Sequence, residues 1–129
     1  MMKKSFLVLS LLLIWETSAH AEWTTLESAT KPGVKHSFDA QTVQQNESFR
    51  KIWILSSYDE KQKGGYHAIK TLYELDCAHQ KARTVTVLLY PDKTASEAVI
   101  GARHDETTDW FRYLDDSIFY HVSAIVCAP

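Results

Sequence analysis

From Tyr66 onward the chain alternates with a period of two. His67, Ile69, Thr71, Tyr73, Leu75 and Cys77 hold the odd positions, whereas Lys70, Glu74 and Asp76 are among the even ones. A two-residue period of this length predicts a half-buried strand that turns Cys77 inward. Arg83 to Tyr90 repeats the device, with Val85, Val87 and Leu89 on one side and Thr84 and Thr86 on the other. Only Ala78 to Lys81 separates the two runs, so they are expected to pair as an antiparallel hairpin. Phe49 to Leu55 is the densest β signal in the chain. Its Ile52-Trp53-Ile54-Leu55 core is apolar on both strand faces, which predicts a central, covered strand with Trp53 inside.

Weaker signals fill in the rest. Glu22 to Leu26 reads as a short edge strand, Lys31-Pro32-Gly33 as a turn, and Val34 to Phe38 as a second strand. Asp39 to Val43 reads as a single helical turn in which Asp39 accepts from a free backbone N–H, followed by a polar loop over Gln44 to Glu47. The charged stretch Asp59 to Gly65 is a loop whose tandem glycines permit positive φ. Pro91-Asp92 closes the second long strand, and Ala98 to Ala102 reads as one more short strand. Near the end the period changes. Asp116 or Ser117 can cap a helix, after which Ile118, Val122, Ile125 and Val126 fall at helical spacing with Phe119 beside them. β-branched residues are only moderate helix formers, so this helix must draw its stability from packing on the sheet. The fold class is α+β: a single antiparallel sheet of about six strands carrying a C-terminal helix, with one disulfide.

The chain opens with Lys3 and Lys4, an apolar run from Phe6 to Trp15, and a small-x-small ending at Ala19-His20-Ala21. That is the build of a secretory leader, and a run of about ten apolar residues is too short to span a bilayer. Residues 1–21 are therefore expected to be removed, leaving one domain over 22–129 in the periplasm or outside the cell. No cysteine follows the expected cut, so no lipid anchor is expected, and no later stretch reaches membrane-spanning length.

The full chain has 14 Lys+Arg and 16 Asp+Glu; without Lys3, Lys4 and Glu16 the balance is 12 against 15. Neither sign is concentrated enough along the sequence to mark nucleic acid or an anionic membrane as partner. Cys77 and Cys127 both fall in the exported part, where oxidising conditions favour a disulfide closing a loop of about 50 residues, worth roughly 4 kcal/mol. The bland alternatives are two free buried thiols or a metal pair, although no histidine stands at ligand spacing from either cysteine.

Catalytic patterns are thin. His36, His67, His79, His104 and His121 form no His-x-x-x-His pair, and no Gly-x-Ser-x-Gly elbow occurs. The acid pairs Asp59-Glu60, Asp105-Glu106 and Asp115-Asp116 all lie in expected loops, where adjacent carboxylates are ordinarily just solvated. The expectation is a non-enzyme with no cofactor and no metal; a small hydrolase built on His104, Asp105 and Glu106 is the outlying reading. Asp109-Trp110-Phe111-Arg112-Tyr113 mixes rings with charges, which suits either a contact surface or a tryptophan folded over a sheet edge.

Several motifs together resemble the surface-adhesin E family of Gram-negative bacteria. They are Arg50-Lys51-Ile52-Trp53-Ile54-Leu55, the Lys70-Thr71-Leu72-Tyr73-Glu74-Leu75-Asp76-Cys77 strand, Trp110 followed by Leu114 and Ser117, and Cys127. His36-Ser37-Phe38-Asp39 with Val43 is similar to that family's aromatic-Asp-x-x-Ser-Ile segment. The resemblance implies an antiparallel sheet with a disulfide-held C-terminal helix, binding of host matrix or plasma proteins, and a capacity to form homodimers. It carries over Cys77 and Cys127 as structural residues and no contact residue. The family's founding adhesin is a surface lipoprotein; this chain lacks the lipid-bearing cysteine.

The leading expectation is thus an exported, non-catalytic protein that binds a protein ligand through its surface. Exposure and composition nominate the Lys31–Lys35 segment, the Asp59–Gly65 loop and the Asp105–Tyr113 loop, with Lys31, Lys35, Trp110, Phe111 and Arg112 as contact residues. The alternative is a periplasmic protein that binds or inhibits another envelope protein.

Overall fold

A computed structural model describes residues 22–27 and 31–128; the expected leader lies outside the described residues. The strands are β1 (Trp23–Thr25), β2 (Val34–Asp39), β3 (Gln44–Asn46), β4 (Phe49–Tyr58), β5 (Ala68–Asp76), β6 (Lys81–Tyr90), β7 (Gly101–His104) and β8 (Phe111–Arg112), followed by helix α1 (Ile118–Val126). They form one antiparallel sheet in the order β1-β2-β4-β5-β6-β7, with β3 added to β4 and β8 added to β6. The expected β5–β6 hairpin and the central position of β4 are both present.

Directly paired residues share a face, so the register sorts the side chains. The Phe38–Ile54–Thr71–Val87, Ile52–Tyr73–Thr84 and Arg50–Leu75–Ala82 rows lie on the side that receives α1. Val122 is fully buried there, and Ile118, Phe119 and Val126 pack around it. The Phe119 ring meets Tyr73 edge-on at 4.8 Å and Phe111 at 5.2 Å. Ser117 caps the helix as expected, its Oγ accepting from the Tyr120 N–H at 3.4 Å.

The far end of α1 is fastened twice. Cys127 is bonded to Cys77, with 5.7 Å between their Cα atoms. Beside it the buried Arg50 guanidinium donates to the carbonyls of Val126 (3.0 Å), Glu47 (2.8 Å) and Phe49 (2.9 Å). A cation at the helix C-terminus also faces the negative end of the backbone dipole.

Five expectations need correction. Asp39 to Val43 is not helical: Asp39 accepts from the Gln41 N–H and the Thr42 hydroxyl, closing a side-chain turn by the chemistry that would have capped a helix. Gln44 to Asn46 is not loop but the short strand β3, invisible to hydrophobic patterning because all three residues are exposed. The strand expected at Ala98–Ala102 lies instead at Gly101–His104. The clean alternation of β6 is broken where Leu72 pairs with Thr86 but Tyr73 pairs with Thr84, leaving Val85 as the extra residue of a bulge. Finally, Ile125 is 56% exposed and does not join the buried stripe.

This packing predicts that Val122→Ala costs about 2 kcal/mol while Ile125→Ala stays within about 0.5 kcal/mol, read from urea midpoints. Equal losses would contradict it. Reducing Cys77–Cys127, whose partners stand 50 residues apart, should lower stability by about 4 kcal/mol in the same assay.

Candidate functional site

Among the described residues no helix packs on the opposite face of the sheet. At its Ser57 end a loop folds over it, with Ala95 packed on Leu55, Ala68 and Tyr90, and Lys93 O accepting from Ser57 Oγ at 2.7 Å. From Leu55 back to Phe49 the rows are Leu55–Lys70–Leu88, Trp53–Leu72–Thr86–His104, Lys51–Glu74–Arg83 and Phe49–Asp76–Lys81–Arg112. Trp53, expected in the core, is therefore only partly buried on this face. Its apolar neighbours Ile52 and Ile54 point the other way, into the helix side.

Aromatic rings and cations interlock here. Lys70 Nζ lies 5.0 Å from the Trp53 ring centroid and 5.6 Å from that of Trp23. Arg83 stacks over Trp110 at 4.9 Å, and Trp110 in turn meets Phe49 at 5.8 Å. Arg83 also reaches Glu74 at 2.7 Å and donates to the Glu106 carbonyl at 2.7 Å. A shallow depression beside Phe49 is bordered by Gln44, Asn46, Lys51 and Glu74.

The nominated contact residues do not form one patch. Lys31 and Lys35 are exposed near the Asp59–Gly65 loop, because Val34 pairs with Tyr58, Lys35 with Ser57, and the Asp59 N–H donates to Gly33 O at 3.0 Å. Trp110 and Arg112 lie at the opposite end, where Arg112 pairs with Lys81. The Ser57 and Phe49 rows are eight residues apart along β4, about 27 Å at the usual rise. Phe111 turns to the helix side against Phe119. Trp23, Trp53 and Lys70 were missed as a surface group, since only strand register brings them together.

A family model for surface-adhesin protein E matches residues 23–128. The chain belongs to this family. No curated protein and no solved structure matches it. The matched span runs from β1 through α1, so the whole sheet and its fastened helix belong to the adhesin E domain. No helix among the described residues is long and apolar enough to cross a membrane.

Several titratable groups of this adhesin domain serve local contacts. His104 Nδ1 lies 2.6 Å from Thr86 Oγ1 with Glu106 at 3.7 Å, both carboxylate and imidazole well exposed. Asp105 accepts from the Thr107 hydroxyl and N–H, which hold its carboxyl below the usual range. Asp92 is lowered further by the Ser96 and Glu97 N–H groups and the Ser96 and Thr94 hydroxyls that bind it. Among the described residues no three His, Cys, Asp or Glu side chains converge as a metal site would require.

His36 is the group with a stability signature near neutral pH. Its Nδ1 meets Ser56 Oγ at 2.7 Å, and burial, with Lys31 adding to it, pulls its pKa below the free-imidazole value. The unfolded chain then binds a proton more readily than the folded one, so this contribution is complete above about pH 6.5 and is lost as pH falls through the folded value. Urea midpoints should decline between about pH 7 and 5. The decline should flatten in His36→Gln; an unchanged slope would contradict this assignment.

Proposed function

We propose that this chain is an exported, non-catalytic adhesin that holds a host matrix or plasma protein on its surface. The observation that carries the reading is the family match, which spans every strand and the helix. The leader pattern at Met1 to Ala21 supports export. Of the residues closest to a catalytic constellation, His104 and Glu106 are exposed and Asp105 half-buried, and His104 and Asp105 are occupied with neighbouring threonines, which favours binding over turnover. The ligand would meet side chains of the sheet and its rims, including the separated Lys35 and Trp110 regions.

The experiment is antibody labelling of intact cells that express the full chain, run beside adhesion of those cells to immobilised matrix and plasma proteins. Labelling of intact cells and retention on at least one such protein are expected. Labelling only after the outer membrane is permeabilised would overturn the adhesin reading and favour an envelope partner.

A further inference from the structure

The chain is net negative, with 16 acidic against 14 basic residues, yet the uncovered sheet face is cationic. Its rows between Phe49 and Leu55 carry Lys51, Lys70, Lys81, Arg83 and Arg112. The carboxylates in those rows are already engaged. Glu74 is bound by Arg83, and Asp76 by His79 at 2.9 Å and by the Ala78 N–H. Among the described residues no carboxylate stands at ion-pair distance from Lys51, Lys70, Lys81 or Arg112.

We propose that this face docks a linear sulfated glycan, its anionic groups taken by Lys51, Lys70, Lys81 and Arg112. The proposal rests on the adhesin reading for the glycan's source, the host matrix. Same-face residues recur about every 6.8 Å along a strand, and strands stand about 4.8 Å apart, so the cations form a flat lattice about 20 Å long. A shallow lattice suits a polymer that carries many anions at short intervals and needs no pocket. Sulfate oxygens accept strong hydrogen bonds from ammonium and guanidinium groups. The amides of Gln44 and Asn46, beside Lys51, offer partners for sugar hydroxyls.

Two other polyanions fit less well. Lys70 occupies a face of Trp53 and of Trp23, and Arg83 one of Trp110, so these rings hold cations instead of serving as open stacking platforms for single-stranded nucleic acid. An acidic peptide laid on this face would find the β4, β5 and β6 main chains already paired, leaving its own amides desolvated without partners.

The test is calorimetric titration of the exported protein with heparin as a function of salt. Heparin should bind, and Lys51→Gln with Lys70→Gln should weaken it about 30-fold at about 0.15 M salt and make binding less salt-dependent. The matching arginine pair should restore binding. Lys61→Gln with Lys63→Gln, the same charge change in the Asp59–Gly65 loop, should cost less than about 3-fold. If melting shows the double glutamine variant unfolded, Lys51→Gln alone carries the test with about a 5-fold loss. Equal loss from the loop pair, or equal affinity for desulfated heparin, polyglutamate or single-stranded DNA, would overturn the proposal. Matrix protein bound after lyase removal of its glycans, with heparin not bound, sinks the glycan and leaves the adhesin reading intact. Heparin binding without adhesion of intact cells does the reverse.

Discussion

Helix α1 has only nine residues, fewer than an isolated helix needs to persist in water, and its β-branched composition does not help. What makes it a fixed part of the molecule is the double fastening at its C-terminal end. The disulfide ties Cys127 to the end of β5, and Arg50 reaches from β4 to the carbonyl of Val126 while also binding the β3–β4 turn. Arg50 is buried and donates to three backbone carbonyls, which a guanidinium tolerates because its planar fork can satisfy several at once. Strand, turn and helix end therefore meet at one point, and Val122 and Phe119 are pressed onto Ile52, Tyr73 and Leu75 as a result.

One helix covers one face. Beyond the loop at its Ser57 end, the other face has no covering helix among the described residues, and there the chain interleaves rings with cations. Lys70 between Trp23 and Trp53, and Arg83 between Glu74 and Trp110, shield apolar surface while keeping charge at the solvent boundary. The glycan proposal draws on this arrangement.

Much of the scaffold was legible in local sequence. The odd positions of β5 do face the helix, the two cysteines do meet, and Ser117 does cap α1. What escaped was set by non-local geometry or by the absence of burial. The apolar quartet at Ile52 to Leu55 looked covered on both sides, but an apolar run alone cannot say whether a second layer exists, and among the described residues Trp53 faces none. The Val85 bulge leaves no mark on hydrophobicity, because an extra valine reads like any other strand residue. Gln44 to Asn46 and Phe111–Arg112 are strands made by neighbours, too short to announce themselves. The layout of the surface escaped for the same reason: Lys35 and Arg112 were each visible as exposed charges, yet their separation and the grouping of Lys51, Lys70 and Arg83 follow from register.

The bulge at Val85 falls where the outer side of β6 changes partner. β7 pairs with Thr86 to Leu89 and β8 with Lys81 and Ala82. In the gap, the Val85 carbonyl accepts from the Asp105 N–H and the Thr84 carbonyl from the Thr108 hydroxyl. The outer side of β6 is thus taken up by the chain's own return, which passes the edge of the sheet to β7 and β8, where Arg103 and Arg112 add charge. The strands that take over as this edge are four and two residues long, so they offer little template for runaway strand-to-strand stacking between copies of the chain.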